Sequence, residues 1–155
     1  MKNNLLKAGL AAGSLDILFA FVNAGLSSGV LPDRVLRFVA SGLIGEKAFQ
    51  DSAGVAFLGL GIHFFIAFFW TVVFFLLYPK FKNIFRSELL QAAIYGIFVW
   101  LIMNLVVLPL TNAPKLGFQW LDVAKGILIL IIAIGFPLVY FARQYYKSKT
   151  TESEN

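Results

Sequence analysis

The chain has 155 residues, of which 59% are hydrophobic and 16% aromatic, while 14% are charged. A soluble domain of this size has too much surface to cover with so few charges, so the composition excludes an ordinary water-soluble fold and indicates a membrane protein. The formal charge of +5 does not indicate nucleic-acid binding, because the basic residues are scattered near the ends of apolar runs.

Four apolar stretches, at about residues 5–26, 54–78, 89–110 and 121–141, match the roughly 20 helical residues needed to cross a hydrocarbon core. Strand-like alternation of apolar and polar residues is absent, so the backbone has to be satisfied by helices. The expected fold class is all-α: an integral membrane four-helix bundle in one domain. The first stretch follows Lys2 and Lys7 as a secretory signal would, but Asp16 and Asn23 lie inside it. It reads as a retained first span.

Between the first two stretches lies LPDRVLRFVASGLIG. Pro32 and Asp33 suit a first helical turn, and Val35, Leu36, Val39 and Leu43 fall on one side of a helix over 32–43, away from Arg34, Arg37 and Ser41. The expectation is an amphipathic helix lying at the interface, with a re-entrant hairpin as the alternative. Pro109 closes the third stretch, and Pro137 after Gly135 predicts a kink in the fourth. Residues 142–155, beginning basic and ending TTESEN, read as a frayed tail.

With four spans, the side holding both termini and the middle loop carries eight of the basic residues, including Lys80, Lys82, Arg86, Arg143 and Lys147, and the other side carries five. This asymmetry predicts cytoplasmic termini, with anionic lipid as partner of the basic residues.

On span one, Gly9, Ala12, Ala20 and Asn23 project within about 40° of Asp16, and Leu10, Ile17, Leu18, Phe21 and Val22 project away. Small residues around a carboxylate mark a helix-packing face, so Gly9 and Gly13 are expected there and the bulky residues in lipid. On span two, His63 shares a side with Ala56, Gly59, Ala67 and Trp70, opposite Phe64, Phe65, Phe68, Val72 and Phe75. Asn104 on span three lies with Ile97, Trp100 and Leu108. Asp122 and Lys125 on span four, three residues apart, are expected to pair.

Asp16 falls near the midplane, and Asn23, His63, Asn104 and Asp122 fall in the outer half. The predicted site is a polar pocket in the outer half formed by Asp16, Asn23, His63 and Asn104. A carboxylate at that depth costs about 2.5–3.5 kcal/mol, so Asp16 is protonated, paired or wet, with His63 as the natural partner. The bland alternative for His63 is an interhelical hydrogen bond of about 0.6 kcal/mol.

One histidine and no cysteine exclude a bis-histidine haem and thiolate sites within one chain, and no nucleotide or hydrolase motif occurs. No enzyme activity and no cofactor are expected. The functional expectation is proton or small-solute handling. The alternatives are an accessory subunit of a larger membrane complex or a homo-oligomer, and a lipid or quinone binder.

The segments GSLDILFAFV, RVLRFVASGLIGEKAF, HFFIAF and MNLVVLPL resemble those of a family of small bacterial four-span inner-membrane proteins, the YagU-like proteins, over about residues 8–110. That resemblance implies a bacterial inner-membrane location and a loose association with acid resistance. It carries over no catalytic residue.

Overall fold

The computed structural model describes residues 2–50, 53–115, 117 and 119–152, and every regular element among them is helical. Helix α1 (Lys2–Ser28) is span one, and α3 (Ala53–Ile84) is span two. Between them lie α2 (Pro32–Ile44) and a 3₁₀ turn, Gly45–Phe49. Span three joins α4 (Glu88–Ile102), a π-helical segment Met103–Val107 and α5 (Leu108–Leu110). Span four joins α6 (Trp120–Leu130), a second π segment Ile131–Gly135 and α7 (Phe136–Glu152).

Four helices are therefore long and apolar enough to cross a membrane. The protein buries only 17% to 33% of their most apolar windows, and Phe57 and Phe65 are each 75% exposed. Hydrocarbon has to cover the remainder, as in a multi-pass membrane protein.

The spans run alternately up and down. Asn112 donates its backbone N–H to Gly42 O at 3.1 Å, which places α2 and the 111–115 segment at one end, here the α2 end. Arg143 pairs with Glu88 at the other, the terminal end, where α1 begins and α7 finishes. Span one packs on spans two and four, and span three packs on span four. Between spans three and four the backbones approach closely where Gly96 faces Ile131, whose backbone nitrogen would lie 2.7 Å from an added Cβ, and where a Cβ on Gly135 would overlap Ala92 O. Spans two and three are held apart by rings, with Phe74 and Tyr95 centroids 4.6 Å apart and the Tyr95 hydroxyl donating to Trp70 O at 2.6 Å.

Each proline within a span leaves the carbonyl four residues earlier without its helical N–H and crowds it sterically. For Pro109 and Pro137 those carbonyls belong to Leu105 and Ala133, the central residues of the two π segments. The wider turn absorbs the crowding where the sequence predicts a kink or an end. For Pro79 the carbonyl is that of Phe75, and α3 continues through it. The Tyr146 hydroxyl donates to Phe75 O at 2.8 Å and replaces the lost partner.

Four sequence expectations are corrected. In α2 the buried residues are Arg37, Ala40 and Ser41, whereas Leu43 is 64% exposed. The helix turns its small and polar side inward because Arg37 donates to Ala48 O and Gln50 O and pairs with Asp33, tying α2 to the following turn. Ile17 is buried instead of facing lipid, because span one is flanked by two spans and its covered arc is wider than its small-residue stripe. The phenylalanine side of span two also divides: Phe64 lies over Gly13, Phe68 over Gly9, and Phe75 is buried near Tyr145. Finally, helix persists through Glu152 in place of a frayed end, with Tyr146 stacked on Tyr78 at 5.4 Å. Residues 153–155 lie outside the described residues.

Two outcomes follow. Tyr146→Phe orphans the Phe75 carbonyl and should lower stability in detergent by about 1–2 kcal/mol. In the Pro79→Ala background, which restores an N–H, the loss should shrink, and a thermodynamic cycle from reversible unfolding measures the coupling. At the α2 crossing, a Cβ on Gly59 would overlap the Leu36 carbonyl. Gly59→Val should therefore detach α2 and accelerate amide hydrogen exchange over 32–44, with little change in span four.

Candidate functional site

The buried core joins Trp70, Phe74, Phe75 and Tyr78 of span two to Tyr95, Val99 and Leu138 of spans three and four, all toward the terminal end. Toward the α2 end the packing changes. Span three has no buried residue from Met103 to Leu110, and α6 has none. In α1 the last buried residue is Ile17. Spans one, three and four are thus well covered by protein in the terminal half and less so in the α2 half, and Asp16 lies at the transition.

Asp16 sits near the middle of α1, on the arc that also carries Gly9, Ala12 and Gly13, and is half-buried. Its carboxylate makes no hydrogen bond or ion pair among the described residues, and the titratable group whose field reaches it is His63. Gly9 and Gly13 leave room for span two to approach, since a Cβ on Gly13 would stand 2.8 Å from the Phe64 ring. This brings His63 Nε2 to 2.8 Å from Gly13 O. A carbonyl only accepts, so Nε2 carries hydrogen and donates, and the neutral ring keeps a lone pair on Nδ1.

The remaining predicted residues divide between two places. Asn23 Oδ1 accepts from Ser27 Oγ at 3.4 Å, Lys125 Nζ donates to Ser27 Oγ at 3.1 Å, and Lys125 lies 3.8 Å from Asp122. A polar chain therefore links spans one and four at the α2 end, two helical turns above Asp16 on the same face of α1. Asn104 instead bonds Trp100 O of its own span at 3.0 Å, inside a π segment. No hydrogen bond joins any two of Asp16, Asn23, His63 and Asn104 among the described residues. Ser27 is the member that sequence reasoning missed; its four-residue spacing from Asn23 was the available signal.

Among the described residues no three histidine, aspartate or glutamate side chains gather as a metal would require. What the arrangement offers chemically is a carboxyl group and an imidazole on adjacent spans, close enough for the His63 field to reach Asp16.

The bond to Gly13 O separates structure from chemistry at His63. His63→Gln retains an N–H at the same reach and should unfold within error of the parent, whereas His63→Leu should lose about 0.6 kcal/mol, read by reversible unfolding in mixed micelles. Comparison of the chain with family models, with curated proteins and with solved structures finds no match.

Proposed function

We propose that this is a proton-handling membrane protein without enzymatic chemistry, in which Asp16 takes up and releases the proton and His63 is its electrostatic partner. The observation that carries this reading is the position of Asp16: a carboxyl group at span depth, without a hydrogen bond or ion pair among the described residues, in the field of His63 and at the edge of the buried aromatic core. An ionised carboxylate there needs compensation. His63 supplies it only when doubly protonated, so the pair is neutral overall with either one shared proton arrangement or the other. The approach past Lys125, Ser27 and Asn23 supports loading from the α2 end. The closed core supports a carrier or sensor over a continuous pore.

We place the protein in a bacterial inner membrane with its termini in the cytoplasm. The location rests on the resemblance to the YagU-like proteins, and the orientation on the basic residues of the terminal end. Loading would then occur from the outer, acid-exposed side. The accessory-subunit reading draws less support, because the glycines it would offer to a partner are occupied within the chain: Gly9, Gly13, Gly59, Gly96 and Gly135 all receive another element of the same bundle.

Proteoliposomes with an internal pH dye and an imposed pH gradient test the proposal. Asp16→Asn should reduce proton flux to that of empty vesicles, and His63→Gln, which keeps the Gly13 bond, should slow it roughly tenfold or more, within the range for positioned proton-transfer groups. Wild-type flux in both variants would overturn it.

A further inference from the structure

A second polar site lies at the terminal end, away from Asp16. There the ends of spans two and four and the start of span three line a half-open cavity of about 440 Å³, within the usual range for small-ligand pockets. Lys82, Arg86, Arg143 and Lys147 bring four cationic side chains to it, against the single carboxylate of Glu88. Glu88 engages Arg143, while Lys82 and Arg86 form no ion pair or hydrogen bond among the described residues. Charge of one sign converges where a membrane surface would lie.

Gln91 lies at the floor. Gln91, 2% exposed, donates through Nε2 to Phe85 O at 2.6 Å, which fixes its amide orientation. Its Oε1 is buried without a hydrogen-bond partner. A buried acceptor left empty costs about 1–3 kcal/mol, and because Oε1 is closed off from the cavity that Gln91 lines, a donor there meets it once the amide shifts toward the cavity. Beside it the Tyr78 hydroxyl lies in the fields of Glu88 and Arg143.

We propose that this cavity binds an anionic phosphate group whose own or neighbouring hydroxyl donates to Gln91 Oε1. The cationic rim takes the charge, as basic pockets between spans do for phospholipid headgroups, and the floor selects for the hydroxyl. Two sources carry this chemistry: the phosphoglycerol headgroup of a lipid, and hydrogen phosphate from solution.

The full-length protein in detergent distinguishes them. Thermal unfolding is followed while phosphatidylglycerol is titrated into phosphatidylcholine mixed micelles, and separately with inorganic phosphate against chloride at constant ionic strength. Stabilisation by phosphatidylglycerol alone assigns a headgroup site, and stabilisation by both assigns a phosphate site open to solution.

In either case the Lys82→Gln/Arg86→Gln variant should raise the half-saturating concentration about thirtyfold, the expectation for two surface cations. Lys7→Gln/Lys149→Gln, which removes the same charge outside the cavity, should change it less than about threefold. Gln91→Met should weaken binding of the hydroxyl-bearing probe further. If that variant fails to fold, the two exposed double variants still decide. Stabilisation by neither probe, or equal loss in both double variants, overturns the proposal, the second because it would mean diffuse surface attraction.

Discussion

In hydrocarbon no water is present to satisfy a peptide group, so any backbone carbonyl released from its helical partner has to find another within the protein. Much of this structure follows from that constraint. Pro79 releases Phe75 O, and Tyr146 on the last helix takes it. Pro109 and Pro137 crowd Leu105 and Ala133, and the chain widens into π turns around them. Where α2 leaves the helical ladder, the Arg37 guanidinium gathers Ala48 O and Gln50 O from the turn that follows. Tertiary contacts made for this purpose also fix which helix faces meet.

The same constraint explains why polarity is tolerated in the bundle and where. His63 reaches an already bonded carbonyl, Gly13 O, through a gap that two glycines keep open. The aromatic core fills the terminal half, where Trp70, Phe74 and Tyr95 brace spans two and three. In the other half spans three and four bury no residue beyond Met103 or before Ile131, and α2 lies across span two at Gly59. Asp16 is left at the boundary between these two regimes, in the field of His63 and next to the aromatic core. The terminal half adds a basic cavity at its own surface, so each end of the bundle carries a different charge chemistry.

Much of this architecture was legible before any coordinates. Length and hydropathy marked four crossings, and the period of small residues marked Gly9, Gly13 and Gly59 as contact points, each of which meets another element. Wheel projection also turned His63 toward its neighbouring span, where the half-buried ring bonds Gly13 O beside buried Ala67 and Trp70. Projection failed at Ile17, Phe75 and the two faces of α2. Lipid and protein interior are both apolar, so hydrophobicity does not distinguish a residue facing one from a residue facing the other.

The candidate site was legible as a set of residue types and depths, and not as a set of partners. Which polar atom meets which depends on interhelical offsets of a few ångströms. Those offsets are set by the glycine contacts Gly96 to Ile131 and Gly135 to Ala92, between residues far apart in the chain. Thus Asn23 joins Ser27, Lys125 and Asp122, Asn104 remains on its own span, and the Gln91 acceptor appears only once three helix ends converge. By itself the sequence determined the four crossings and the amphipathic segment, because these depend on local period and length. Only the tertiary structure decided the pairing of polar groups and the placement of the buried core toward the terminal end, because these depend on distances between spans that no local pattern encodes.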